Sequence, residues 1–384
     1  MRLSRPSPRP RRTRRGASAI EYGLLVGLIA VGAILTVQQS GDRISGLLAT
    51  VSNEINSVEG TAVSGASGAG GSESGSSNNQ PKLNGDLALA PNNGGAIQLV
   101  SSDDGSLANT GSWPAKTNDG SIYGLASDAD GYVYSGNQYN TVHKIAPDGT
   151  RNWSFSGHSG NVYAVAVDAD GYVYSGGYDT TVRKIAPDGT EDTSGGWPFI
   201  GHSHRVREVA VDADGYVYSG DKDGTLRKIA PDGTEVTSGG WPFTGHTDSV
   251  RAIAVDSDGY VYSGSGDIVR KIAPDGTQVT SGGWPFTSHL FTANAVAIDA
   301  DGYVYSGGAY DYLRKIAPDG TEVTSGGWPF TEHPDRVLAI AVDADGNIYS
   351  SDRRGVTKKI DANGNELWSN DYGNSISAIA VTAN

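Results

Sequence analysis

From Gly85 onward the chain repeats one unit, most plainly as VAVDADGYVYSGGYDTTVRKIAPDGT, VAVDADGYVYSGDKDGTLRKIAPDGT and IAVDSDGYVYSGSGDIVRKIAPDGT. A DxDG turn opens at Asp128, Asp168, Asp212, Asp256, Asp299 and Asp343, a spacing of 40 to 44 residues. Such a period allots one supersecondary unit to each repeat, and a unit that small buries its apolar face only against its neighbours. Four strand-like segments fit within it: an alternating VYAVAV, then YVYSG, then TVRKIA, and a fourth holding SGGWPF. Asp-Gly pairs punctuate them, because glycine accepts the positive φ of a hairpin turn. Four-stranded units of this size are the blades of an all-β propeller.

The two ends of the repeat region fix the number of blades. SISAIAVTAN at the C-terminus matches only a first strand, whereas GDLALAPNN, AIQLVSSDDG and LANTGSW near residue 85 match strands two to four. One blade is therefore shared between the ends and closes a ring beside six complete ones, which predicts a seven-bladed propeller over residues 85–384. Trp113, Trp153, Trp197, Trp241, Trp284, Trp328 and Trp368 fall one per blade. A position that recurs whatever the neighbouring loops contain suits packing between blades better than contact with one ligand.

GHSGNVYAVAVDADGYVYSGGYDTTVRKI resembles a WD-repeat, with Gly157-His158 as the Gly-His pair, Ser175 on the second strand and Asp179 in the next turn. The resemblance implies a hydrogen-bonded His–Ser–Asp set in each such blade: His158, Ser175 and Asp179; His202, Ser219 and Asp223; His246, Ser263 and Asp267. The family's strand-three Trp is replaced by Ile185, Ile229 and Ile272, so the expected network is truncated. IDANGNELWS is similar instead to the repeats of PQQ-type propellers, where a turn precedes a Trp-bearing strand. Neither likeness carries chemistry with it.

No catalytic set stands out, and the chain reads as a binding or structural protein with no cofactor and no metal. Histidines 158, 202, 246, 289 and 333 recur once per blade, so they spread round a ring instead of converging on one ion. Paired acids such as Asp168/Asp170 raise a calcium reading, but an EF-type loop needs further oxygen ligands and a Glu at its twelfth position, and here Tyr and Val follow the Gly at once. The adjacent cysteines typical of many quinoprotein propellers are missing, since the chain has no cysteine at all. Variation is concentrated in two loop sets, after strand two and before strand one, which open on one face of a propeller. Tyr139, Tyr178, Phe291, Tyr310 and Tyr312 lie there and offer flat aromatic surface to a sugar or a protein chain.

The N-terminus has a different character. RRGASAIEYGLLVGLIAVGAILTV holds an apolar run from Ala17 to Val37 whose one charge is Glu21. At about 1.5 Å per residue it is long enough to cross a hydrocarbon core of about 30 Å. Seven arginines precede it, which the positive-inside rule keeps on the cytoplasmic side. The small residue that a secretory signal places after its apolar region, Gly16, here stands before it. This order of basic leader, Gly, small and apolar residues, Glu-Tyr and apolar helix resembles the type IVb pilin precursors of the Flp (Tad) class. The resemblance implies cleavage by a prepilin peptidase between Gly16 and Ala17, with Glu21-Tyr22 as the acidic-aromatic pair used in assembly.

An intramembrane carboxylate is costly without a partner. Cleavage would supply one, because it creates an ammonium on Ala17 that Glu21 of a neighbouring subunit can meet. Ile44, Leu47, Leu48, Val51 and Ile55 continue the helical spacing. Residues 17–58 would then form a rod of about 60 Å, with Gly41 as a place for a bend. Residues 59–84 turn to Gly and Ser and read as a flexible tether spanning about 25–30 Å.

Charge excludes one class of partner. The leader carries seven positive charges and no acid, so without it the net charge of −14 becomes −21, which would repel a nucleic-acid backbone. The expected organisation is thus a basic leader over 1–16, a long pilin and transmembrane helix over 17–58, a linker over 59–84 and the propeller. The expected role is a filament subunit, self-assembling or joining other pilins, inserted in the cytoplasmic membrane before assembly and displayed outside the cell for adhesion. An enzyme or sensor propeller held on the membrane by an uncut helix is the alternative.

Overall fold

A computed structural model of the chain describes residues 85–92, 96–108, 110–116, 120–287, 289, 292–309 and 312–382. The leader, the pilin helix with Gly16, Ala17, Glu21 and Tyr22, the linker, and Phe291 and Tyr310 lie outside the described residues. Among the described residues no helix is long and apolar enough to cross a membrane.

Seven antiparallel sheets are arranged in a ring. We number the blades by their inner strands: Ile122–Ser127 in blade 1, Val162–Val167 in blade 2, Val206–Val211 in blade 3, Val250–Val255 in blade 4, Ala293–Ile298 in blade 5 and Val337–Val342 in blade 6. Blade 7 is built from both ends of the region. Its inner strand, Ile376–Val381, pairs antiparallel with Leu87–Pro91, which pairs in turn with Ala96–Val100. The shared closing blade expected from the sequence is therefore present.

The second strand is the most enclosed element, buried at every position in all seven blades. Its composition follows from what lies on either side. Tyr174, for example, packs toward Trp197 of its own blade, while Gly176 faces the next one: a Cβ there would sit 2.5 Å from Val206 Cγ1. The apolar clusters straddle consecutive blades. Ala164, Val182 and Phe199 of blade 2 meet Val206, Val217 and Ile229 of blade 3, so the core is a set of interfaces instead of one central mass.

In blades 2 to 5 the expected fourth strand is not continuous. SGGWPF forms a looped excursion with a cis Trp-Pro peptide, and Phe199, Phe243, Phe286 and Phe330 each rejoin the third strand through one isolated bridge. Blades 1 and 6 lack those extra residues and keep full outer strands, Arg151–Phe155 and Glu366–Asp371. The excursion instead fastens one blade to the next. Trp197 Nε1 donates to Pro231 O at 3.1 Å and Gly196 N to Asp232 O at 2.8 Å, both in the turn after strand three of blade 3. That turn needs Gly233, whose φ is 87° and whose absent Cβ would lie 2.6 Å from Trp197 N.

The same indole donation recurs round the ring from Trp113, Trp153, Trp241, Trp284 and Trp328. It closes with Trp368 Nε1, which reaches Ser102 O at 3.0 Å across the junction of the two ends.

Candidate functional site

Each DxDG turn is a closed hydrogen-bonded unit. Asp168 Oδ1 accepts the amides of Asp170 and Tyr172, and its Oδ2 accepts the Tyr174 hydroxyl at 2.9 Å. The same Asp–Tyr bond, six residues apart, holds in blades 1 and 3 to 6. Burial, followed by the neighbouring carboxylate, raises the tyrosine hydroxyl well above its ordinary range. The first acid of each pair is thus committed to protein donors on both oxygens, which accounts for its place in the repeat by turn geometry.

The His–Ser–Asp sets vary from blade to blade. His158 Nδ1 lies 3.0 Å from the Asp179 carboxylate and Nε2 2.9 Å from Ser175 Oγ. Burial disfavours the Asp179 anion, but bonds from His158, Ser159 and Thr181 outweigh it and hold the carboxyl well below the usual range. In blade 3 His202 meets Ser219 as expected, yet its acid is Asp221 at 3.1 Å and not Asp223. Asp223 pairs with His204 on the surface at 2.6 Å. Blade 6 repeats this shorter route, with Asp352 3.4 Å from His333. His246 keeps Ser263 at 2.7 Å, but Asp267 does not pair with it; the charge of Asp267 reaches His289 of the next blade. The reason is one of loop length, since GSGDI is one residue shorter than GGYDTT.

Burial without an acid partner has an energetic consequence. His246 is pushed down to about 3 and His289 to about 4, by burial first and then by the charges of Arg270 and Arg314 respectively. Above the ordinary histidine value of about 6.5 both folded and unfolded states hold a neutral ring, and nothing is lost. As pH falls below that, the unfolded chain takes up protons that the folded chain refuses, so stability declines until about pH 3 to 4. His246 alone accounts for about 3 kcal/mol of this at pH 4. His246→Gln is expected to flatten the fall, read as the difference in urea midpoint between pH 7 and pH 4; an unchanged difference would refute the account.

The two variable loop sets do adjoin. Tyr178 N donates to Asn161 O, Lys222 N to Arg205 O and Arg353 N to Arg336 O, each joining the loop after strand two to the loop before strand one of its blade. Tyr139 and Tyr178 stand well out of this surface, at 59% and 57% exposure, and Tyr312 is at 37% with the Arg314 guanidinium 5.6 Å from its ring. Next to Tyr178, Thr180 holds a φ of 66°, where blades 3 and 6 place Gly224 and Gly355. A side chain in that conformation costs about 1–2 kcal/mol.

Inside the ring, all seven inner strands line one channel of about 370 Å³. All seven inner strands carry a β-bulge near their start, where register shifts over pairs such as Val206/Glu208, Val250/Ala252 and, in blade 7, Ile376/Ala378. The residue in the bulge is re-aimed, and the residues at this level of the channel are Tyr123, Tyr163, Arg207, Arg251, Asn294, Leu338 and Ser377. Tyr123 and Tyr163 contact each other with centroids 5.3 Å apart, and Arg205 lies over Tyr163 at 5.8 Å. One residue further in, where the other blades have Ala or Gly, blade 3 has Glu208, and burial pushes its carboxyl up to about 8.

None of these channel residues was singled out from the sequence. The legible signal was a single variable column inside otherwise uniform strands, the second position of IYGLAS, VYAVAV, VREVAV and VRAIAV.

Against known proteins, residues 11–55 match the family model of the Flp/Fap pilin component. Residues 149–184 and 233–270 match the WD domain, G-beta repeat. No curated protein matches the chain. Among solved structures, the computationally designed Ika8 protein is similar in fold, with a TM-score of 0.56 at 20% identity over 78% of this chain and 91% of that one.

Proposed function

We propose that this joining of a Flp/Fap pilin segment to a WD-type seven-bladed propeller is a structural subunit of a Tad-type (type IVb) pilus that displays the propeller on the filament for adhesion or surface recognition. The observation that carries the reading is the pilin match over residues 11–55, which contains Gly16, Glu21 and Tyr22 in the order a prepilin requires. A prepilin peptidase removes the arginine-rich leader, the apolar helix leaves the cytoplasmic membrane for the filament core, and the Gly/Ser segment carries the head outside. The head binds and does not catalyse. Its recognition surface is the face of variable loops, with Tyr139, Tyr178 and Tyr312 as aromatic contacts for a glycan or protein ligand. The strained Thr180 turn supports that placement, because backbone strain concentrates where a surface is shaped for binding.

Head size sets the stoichiometry. A domain of about 300 residues has a radius of gyration near 19 Å and does not fit against every subunit of a thin fibre. Heads are therefore staggered by the tether or carried by a minority of subunits. Mass spectrometry of sheared fibres tests the reading. The expected N-terminal residue is Ala17; a chain still beginning near Met1, or its absence from fibres, would overturn it.

A further inference from the structure

We infer that the channel mouth from blade 1 round to blade 4 is a binding site for an acidic sugar, a pyranose carrying a carboxylate or sulfate, held by Arg207 and Arg251 against the rings of Tyr123 and Tyr163. Several enclosed cations elsewhere in this protein are paired with acids. Arg183 meets Glu191, Arg227 meets Glu235 and Lys358 meets Glu366 across neighbouring strands. Arg205, Arg207 and Arg251 form no ion pair among the described residues; the Nε of each is buried without a hydrogen-bond partner, as in Arg183 and Arg227, but in those two the terminal nitrogen reaches an acid. They also repel one another: after burial, the charges of Arg205 and Arg251 lower the Arg207 guanidinium below its ordinary value, opposed in part by Asp248. Grouped cations that form no ion pair are costly in an enclosed site, and an anion that enters relieves the cost. Glu208, the adjacent acid, forms no ion pair with them among the described residues, and burial raises its carboxyl to about 8.

The class of ligand follows from the rest of the wall. Guanidinium forks suit carboxylate and sulfate oxygens. The two tyrosine rings beside them give an apolar surface with polar tips, which fits the face of a sugar ring better than a bare inorganic ion. A channel of about 370 Å³ lies within the usual size of small-ligand sites and leaves room for a terminal sugar, not for a folded partner. The body of the chain is acidic, so capture depends on short-range contact and weakens as salt rises.

The test is calorimetric titration of the full-length chain in detergent micelles with sodium D-glucuronate, glucose 6-sulfate, methyl glucoside, inorganic phosphate and a tripeptide with a free C-terminus. One or both acidic sugars are expected to bind at least tenfold more tightly than methyl glucoside and phosphate, and the pair shows whether carboxylate or sulfate is preferred. Arg207→Gln and Arg251→Gln should each weaken that binding tenfold or more, and Arg151→Gln, an exposed arginine on the outer strand of blade 1, should leave it unchanged. Arg251→Lys keeps the charge but loses the fork and should give a smaller loss, which serves if the glutamine variants do not fold. Equal binding of the neutral sugar, no binding of either acidic sugar, binding unaffected by the arginine changes, or a tripeptide that binds as tightly with the same arginine dependence would each overturn the inference. Adding Glu21→Ala separates this site from the proposed pilus role, because assembly then fails while sugar binding persists.

Discussion

A chain truncated after Tyr372 is expected to lose its cooperative thermal transition at physiological temperature. The deletion removes the inner strand of blade 7, Ile376–Val381, in which Ile376, Ile379 and Ala380 are buried. At about 1.5–3 kcal/mol per buried aliphatic side chain, the two isoleucines alone contribute about 3–6 kcal/mol. Leu87–Pro91 would become an open edge, although every residue in it is buried in the intact ring. Two ties to blade 1 go as well, from Ser377 Oγ to Ile122 O at 2.5 Å and from Ser127 Oγ to Val381 O at 2.6 Å. Whole domains are stable by only about 5–15 kcal/mol, so the sum removes a large share of the total. Near-UV circular dichroism against temperature is the measurement. A midpoint within 5 °C of the intact chain would show that closure matters little. Ser377→Ala, which loses hydrogen bonds and not the strand, should shift the midpoint by about 2–4 °C only.

Glu21→Ala is expected to leave the leader cleaved and the propeller folded while lowering the amount of chain in sheared fibres by a hundredfold or more. A carboxylate at membrane depth costs about 2.5–3.5 kcal/mol on insertion scales, a cost the residue repays only by finding a cation. The Ala17 ammonium of a neighbour, created by cleavage after Gly16, is that cation in the proposed filament. Glu21→Asp keeps the charge on a shorter arm and should recover part of the assembly. Immunoblots of fibre and membrane fractions, with the N-terminal mass and the propeller melting midpoint as controls, separate an assembly defect from a processing or folding defect. Normal fibre incorporation of Glu21→Ala would reduce the segment to a simple anchor.

Where the reading of the sequence failed, the cause was geometric. Asp223 stands four residues after Ser219, as Asp179 stands four after Ser175, so an alignment by spacing pairs each with its histidine. The folded blade offers two routes to the same imidazole, and blade 3 uses Asp221 at the end of the second strand because an acid stands there where blade 2 has Gly177. SGGWPF reads as a strand because Trp and Phe favour sheets, yet its two glycines let it turn out as a clasp that bonds the next blade. Bulges concealed the channel. They re-aim Tyr163, Arg207 and their counterparts to the lumen, and a bulge leaves no mark in a simple alternating pattern.

The number of blades, the shared closing blade and the Asp–Gly turns were settled by sequence alone, because hairpin pairing and turn conformation depend on residues a few positions apart and the repeat states them again in each blade. Which acid answers each histidine, and the convergence of Tyr123, Tyr163, Arg207 and Arg251 on one channel, were decided only by the closed ring. Those four residues come from strands about 40 residues apart, and nothing local to any of them specifies the others until the inner strands stand side by side.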